Sequence, residues 1–289
     1  MTDLHSETYG SGDPVLMVHG SGSWGADTFG EQLPLAGEFR LVMIDRRGYG
    51  RSEWPATGQE GRATAGMGWQ TDKDDVAGVL SALGSAHLVG HSTGGTVALI
   101  AATMVPEAVR SLVVIEPTVW RIADPAVSPP ERPAAYQRAW TRAQRLPAKE
   151  FLIAITRAAG LSDAEARICG SWAAMSEEDL AAAEAMRHES WAGSAPLDVA
   201  ALASGGYPKV VVVGAWDPAL YPDLEDMRAA GWRQAVAAEH CALARAIGAR
   251  LETMSRSAHS PMLEDTDALN DLLKDTWLGA SRQQAPPSS

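Results

Sequence analysis

Gly90-His91-Ser92-Thr93-Gly94-Gly95 sets a serine in a G-x-S-x-G pattern, after a β-branched run and before an apolar helical stretch. Strand, sharp turn and helix in that order leave the serine hydroxyl exposed, with glycines beside it because larger side chains would strike the neighbouring strand or helix. The chemistry this suits is acyl transfer. A hydroxyl at a helix N-terminus attacks a carbonyl, and the oriented N–H groups favour the negative charge that develops on the carbonyl oxygen. Ser92 is therefore the candidate nucleophile. His91 is adjacent in sequence, but neighbouring side chains at such a turn diverge, which makes it a packing residue and not the proton acceptor.

Such a turn has to be held by a sheet. Short apolar runs at 15–18, 41–44, 87–89, 112–115 and 210–213, with another around Leu251, alternate with helical stretches at 71–83, 93–104, 232–247 and 266–277. This rhythm predicts an α/β fold, with a mostly parallel central sheet flanked by crossover helices. A run as uniformly apolar as 210–213 suits a strand covered on both faces. Only a weak candidate, 4–9, precedes the first strong run, so the sheet is expected to lack an N-terminal edge strand. Across 117–207 the rhythm gives way to helix signals without a strand, and Ser162 with Glu165 and Ser176 with Asp179 mark two helix starts. Pro125, Pro129, Pro130 and Pro133 lead into this insert, and Ser204-Gly205-Gly206 with Pro208 leads out of it. The expected organisation is a core of 1–116 and 208–278, a helical cap of 117–207, and a tail of 279–289 too poor in apolar residues to order. One more helical piece is expected at 223–230.

The chain has 289 residues, of which 46% are hydrophobic and 21% charged, so it can bury a large interior. A formal net charge of -12 argues against nucleic acid or anionic membrane as a partner and leaves a small-molecule substrate. No apolar run approaches the ~20 residues that span a bilayer. The polar, acidic start has no basic or apolar leader region, which makes the cytoplasm the expected compartment. Cys169 and Cys241 are too few for a disulfide scaffold or a metal-binding pair, so both are expected to be free structural residues. No metal or cofactor is implied.

Three further segments resemble motifs of the α/β-hydrolase superfamily. His19-Gly20-Ser21-Gly22 is similar to its H-G-x-x loop, Asp45-Arg46-Arg47-Gly48-Tyr49-Gly50-Arg51-Ser52 to its D-x-R-G-x-G-x-S turn, and Ala258-His259-Ser260-Pro261-Met262-Leu263-Glu264 to its histidine segment. With the serine turn they stand in the family's order from about Val15 to Trp277, the cap matching in position and helical character alone. The resemblance implies an α/β-hydrolase fold in which the backbone N–H groups of Ser21 and Thr93 form an oxyanion hole, each donor worth ~3 kcal/mol in the transition state. It makes His259 the general base, ahead of His5, His188 and His240. By the same resemblance His19 shapes its loop, and Asp45 and Arg47 brace their turn. For the acid it implies Asp217, just past the end of 210–213 in Gly214-Ala215-Trp216-Asp217-Pro218. The alternative is Glu116, which ends 112–115, where some members place the acid instead.

An insert after 112–115 lies where it can roof the carboxyl ends of the strands, the edge at which such folds bind ligands. Trp120, Trp140, Trp172 and Trp191 fall within it, and most are expected to pack cap against core. Trp120 and Trp140 are nevertheless carried as cavity candidates, beside Trp24 near the H-G-x-x loop and Trp216 next to Asp217. The expected function is hydrolysis of a carboxylic ester or lactone of a neutral, mainly apolar small molecule through an acyl-enzyme. Serine at the elbow argues against relatives that use aspartate there, the haloalkane dehalogenases and epoxide hydrolases. The alternatives are a carbon–carbon bond hydrolase, a cofactor-free perhydrolase, and a ligand sensor or non-hydrolytic catalyst that keeps the same residues. Were an anionic substrate preferred, Arg121 and Arg138 of the cap are the cations to suspect first.

Overall fold

The apolar runs at 15–18, 41–44, 112–115 and 210–213 are each divided by the pleat of a strand between two cores, whereas Leu251 is exposed. In the computed structural model, which describes residues 4–52, 68–160, 176–220 and 231–284, Leu16 and Val18 face one side of a sheet while Val15 and Met17 face the other. Val42 and Ile44 part from Leu41 and Met43 in the same way, and Val211 from Val210 and Val212. Both faces are covered, which is why these runs do not alternate with polar residues. Burying each such side chain contributes ~1.5–3 kcal/mol.

The strands are β1 (Ser6–Tyr9), β2 (Asp13–Val18), β3 (Phe39–Ile44), β4 (Ala86–His91), β5 (Val109–Ile115), β6 (Lys209–Gly214) and β7 (Arg250–Met254). They form one sheet in the order β1-β3-β2-β4-β5-β6-β7, parallel except for β1, which runs antiparallel to β3. The expected mostly parallel sheet is thus present, but the expected loss of its first edge strand is not. β1 is polar on its exposed side and only half-buried on the other, so its sequence carries a weak signal. Its place is held by backbone pairing with β3, from Ser6 opposite Ile44 to Tyr9 opposite Leu41.

The helices are α1 (Gly25–Phe29), α2 (Trp69–Leu83), α3 (Thr93–Met104), α4 (Glu131–Ala143), α5 (Ala148–Ala158), α6 (Glu177–His188), α7 (Val199–Ser204), α8 (Trp232–Ala246), α9 (Pro261–Glu264) and α10 (Thr266–Gln284). One core gathers Val76 and Leu80 of α2, Val97 and Leu99 of α3, and Leu243 of α8; the other gathers Phe29 of α1 and Leu269, Leu273 and Trp277 of α10. In the insert the described residues form α4 to α7, with Ser176 capping α6 through the reciprocal bonds its spacing with Asp179 predicts. α10 runs on to Gln284, past the point where the sequence sets a disordered tail. The polar composition misleads there because only one side of a helix has to be buried: Ala280 is buried, and the Ser281 hydroxyl donates to Asp13 at 2.7 Å. Ser162, Glu165, Cys169, Trp172, the piece at 223–230 and the last five residues lie outside the described residues. Cys241 is unpaired and exposed on α8, a surface thiol and not a packed one. No helix among the described residues is long and apolar enough to cross a membrane.

Buried polar groups fasten the insert to the core. Arg46 donates through Nη1 to Asp72 at 2.6 Å and to Glu189 at 3.2 Å, and through Nε and Nη2 to the carbonyls of His19 and Gly20. Glu189 follows α6, and its own carbonyl accepts the indole N–H of Trp140 and the amide of Gln144. Burial pushes the Asp72 carboxyl up to about 6 against the pull of Arg46, with Glu189 adding to the rise. On the far side, the Glu239 carboxylate of α8 accepts the backbone N–H groups of Arg121, Ile122 and Ala123 and the hydroxyl of Ser128.

The chain leaves β2 toward β3 on one side and returns to β4 on the other, so the strand order reverses between β2 and β4. A crevice opens at the carboxyl ends of strands at such a point. The loop at His19–Ser21 and the turn at Ser92 meet there.

Candidate active site

Ser92 follows β4 with φ 52° and ψ -120°, a left-handed conformation that puts its side chain outside the sheet. The turn is tight enough to require glycine at two places. A Cβ on Gly90 would stand 2.4 Å from the carbonyl oxygen of Gly94, and one on Gly94 would stand 2.2 Å from that of Val18. The backbone N–H of Ser92 is tied to the carbonyl of Ile115 at 2.9 Å, which fixes the turn to β5. Thr93 begins α3, so its N–H has no acceptor within the helix. Ser21 stands beside it, the two hydroxyls 2.7 Å apart, and Ser21, Ser92 and Thr93 all line one cavity.

His259 reaches Ser92 with Nε2 at 3.1 Å from Oγ. Its loop is held from two directions. The Glu264 carboxylate accepts the N–H groups of Ala258 and Ser260 on either side of it, and His91 Nε2–H donates to its carbonyl at 2.8 Å. His91 thus does more than pack: the turn that carries Ser92 also holds the backbone of His259. His19 is buried and keeps its loop in shape, accepting the Arg46 N–H at 2.8 Å. Asp45 accepts the N–H groups of Gly25 and Arg51, and Arg47 forms a two-point pair with Asp75.

The carboxylate beside His259 belongs to Glu116, not to the expected Asp217. Glu116 Oε2 lies 3.6 Å from His259 Nδ1, while Oε1 accepts the Gly214 N–H at 2.8 Å and the Trp216 indole N–H at 2.9 Å. Asp217 is exposed, and its carboxylate accepts the N–H of Ala219 at 2.9 Å. The reason is local backbone shape. Trp216 turns left-handed at φ 53°, which carries the chain away from the imidazole before Asp217 is reached. Glu116 itself turns at φ 45° straight off β5, so its side chain stays under His259. Burial alone would push the Glu116 carboxyl up, but its contact with the His259 imidazole and the electrostatic pull of the groups facing it, the Arg233 guanidinium among them, outweigh it and hold the group down to about 2.

The cavity over these residues measures about 460 Å³. Trp120, Trp140 and Trp216 line it, together with Tyr136, Trp191 and Trp232. Trp24 does not: it packs against Tyr49, Ala182 and Ala185, between its loop and α6. Arg121 and Arg138 are exposed and take no part in the lining. The cation that does line it is Arg233, in the first turn of α8, which nothing in the local sequence marks. His240, one further residue of α8, lines the cavity with its Nε2–H on the Pro117 carbonyl at 2.9 Å, and burial lowers the affinity of its ring for a proton. Among the described residues no three His, Cys, Asp or Glu side chains converge so as to hold a metal ion.

Comparison with known proteins agrees with this architecture. A sequence model described as the Alpha/beta hydrolase family matches residues 15–272. A 2-(acetamidomethylene)succinate hydrolase of Mesorhizobium japonicum is 37% identical over 115 residues, 39% of this chain and 38% of the relative. A 2-hydroxymuconate semialdehyde hydrolase of a Pseudomonas species is 40% identical over 120 residues, 39% of each chain. The chain thus spans well under half the length of these curated relatives. Among solved structures, a thermophilic esterase from Thermogutta terrifontis superposes with a TM-score of 0.64 at 22% identity, covering 96% of this chain and 93% of the esterase, a likeness of fold.

Proposed function

The chain belongs to the alpha/beta hydrolase family, and from that premise we propose that it is a serine hydrolase opening a carboxylic ester or lactone through an acyl-enzyme. One observation carries the reading: Ser92 Oγ stands 3.1 Å from His259 Nε2, with the Glu116 carboxylate behind Nδ1, at the floor of an aromatic cavity.

In this mechanism neutral His259 takes the proton of Ser92 as its oxygen attacks the carbonyl carbon, and the amides of Ser21 and Thr93 receive the oxyanion. Glu116 holds Nδ1–H and so fixes the tautomer in which Nε2 can accept. The imidazolium returns the proton to the leaving alcohol. Water, activated by His259, then releases the acid and restores Ser92. The described part of the insert serves as the roof, and the aromatic side chains it turns to the cavity give a mainly apolar acyl or alkyl group large contact area.

A second reading, hydrolysis of a carbon–carbon bond, is favoured by the 2-hydroxymuconate semialdehyde hydrolase among the relatives. Incubation with a fluorophosphonate, followed by a panel of chromogenic esters, separates the two. Labelling of Ser92 with rapid ester turnover, both lost in Ser92→Ala, is the expected result. Labelling without ester turnover would move the assignment to the second reading, and undiminished labelling of Ser92→Ala would remove the nucleophile.

A further inference from the structure

We propose that Arg233 docks a carboxylate carried by the substrate, so that the molecule hydrolysed is an apolar body bearing one carboxylate besides its scissile ester or lactone. The proposal rests on the hydrolase reading of the same cavity and narrows its substrate class.

Arg233 is only 14% exposed and, among the described residues, is the one arginine or lysine that lines the cavity. A guanidinium carries five N–H donors in a planar fork. Here none of them has a hydrogen bond among the described residues. Nε is buried without a partner, and the nearest acidic oxygen, Glu116 Oε2, is 3.8 Å from Nη1, beyond hydrogen-bond reach. What holds the group is a ring: its central carbon lies 3.7 Å from the centroid of Trp216. A cation–π contact of this kind satisfies charge and leaves the N–H edge unused.

Glu116 pairs with Arg233 as an ion at 3.8 Å, but the carboxylate is turned toward other partners. Oε1 already accepts two N–H groups, and Oε2 faces His259 Nδ1 at 3.6 Å. Burial draws Arg233 down to about 10, yet the group stays cationic at neutral pH. A mostly buried cation whose Nε–H has no acceptor and whose one ion pair is too long for a hydrogen bond is costly to keep in a largely apolar wall. A carboxylate laid edge-on to the fork would accept two parallel hydrogen bonds and cancel the charge, the pairing for which guanidinium geometry is suited. The rest of the wall is largely aromatic and aliphatic, so one charged group on an apolar frame is the complementary shape. The expected neutral substrate is therefore replaced by an anionic one, and the cation concerned is neither Arg121 nor Arg138.

The test pairs the 4-nitrophenyl monoester of glutaric acid with 4-nitrophenyl pentanoate, which differ chiefly by the terminal carboxylate. Both are assayed at neutral pH and high salt, where the repulsion from the chain's net negative charge is screened. The wild-type protein is expected to favour the hemi-acid ester in kcat/KM by about tenfold or more, within what charge-assisted hydrogen bonds contribute. In Arg233→Met that preference ratio is expected to fall by ~10- to 100-fold, chiefly through KM of the anionic ester, and Arg233→Lys is expected to restore part of it. A wild-type preference for the pentanoate, or an equal loss on both esters in Arg233→Met, overturns the proposal. Calorimetric titration of the wild-type protein with glutarate, and with pentanamide as the neutral control, needs neither a variant nor turnover. Glutarate binding without ester turnover keeps the anion site and overturns the ester reading, whereas no preference for glutarate overturns the anion site alone.

Discussion

Among the arginines that meet buried carboxylates, Arg46 and Arg233 are equipped in opposite ways. Arg46, at the joint between core and insert, has an acceptor for Nε and for each terminal nitrogen: two carbonyls and the carboxylates of Asp72 and Glu189. Arg233, in the cavity, has an indole beneath it, a carboxylate at 3.8 Å and no hydrogen bond among the described residues. The carboxylates differ in the reverse sense. Asp72 must share one guanidinium with Glu189, and its burial raises it to about 6; Glu116 has two N–H donors on one oxygen and an imidazole at the other, and is held at about 2 in spite of its burial. A joint between layers is finished when every donor has a partner. A cavity that receives a ligand keeps donors unmatched until the ligand arrives.

The contrast is broken most directly at Glu116. Glu116→Gln keeps an acceptor for Gly214 and Trp216 but loses the charge behind the imidazole, and kcat is expected to drop by ~10⁴-fold. Asp217→Asn, at an exposed carboxylate, should cost less than about threefold. Steady-state kinetics of the two variants decide the matter, and a reversed order would return the acid to Asp217. At the joint the effect should appear in stability. Arg46→Met leaves two buried carboxylates without their cation and is expected to cost ~3–5 kcal/mol in urea unfolding. A cost under ~1 kcal/mol would mean that the joint holds little.

A smaller effect lies in pH. Asp72 rises from 3.8 to about 6 on folding, so the folded chain binds its proton more tightly and this group's contribution to stability is whole below 3.8 and lost as pH rises through 6. Glu116 behaves oppositely: lowered from 4.5 to about 2, it contributes above 4.5 and its contribution is lost as pH falls toward 2. The stability of the wild type relative to Asp72→Asn is therefore expected to decline by roughly 1 to 3 kcal/mol between pH 4 and pH 7. A relative gain over that interval would contradict the burial argument for Asp72.

The parts of the site that rest on local sterics were legible in the sequence. Gly90 and Gly94 are required by backbone atoms a few residues or one strand away, and the serine between them follows from strand, turn and helix. The position of His259 came from a resemblance, and the structure places it within reach of Ser92. The acid was not legible, because Glu116 and Asp217 both follow strands and both precede His259 in the chain. Pairing decides between them: Ile115 lies opposite Val212, which brings Glu116 beside the Gly214 N–H, and the left-handed turn at Trp216 sends Asp217 into solvent. Arg233 was hidden for a similar reason. A charged residue in the first turn of a helix reads as solvated, and it is residues from other parts of the chain, Trp216 and Glu116 among them, that come to lie against it. β1 escaped because pairing with β3, not its own composition, makes it a strand.

The hydrogen bond from His91 to the His259 carbonyl joins residues 168 positions apart in the chain. It makes the turn that carries the hydroxyl and the loop that carries the imidazole parts of one rigid unit. In the language of effective concentration, proton donor and acceptor do not have to find each other at each turnover, because their translational and rotational freedom was given up once, when the chain folded. The residue between Gly90 and Ser92 then fixes the local molarity of the base. A side chain there that could not reach the carbonyl would leave both reacting groups present and dilute one with respect to the other.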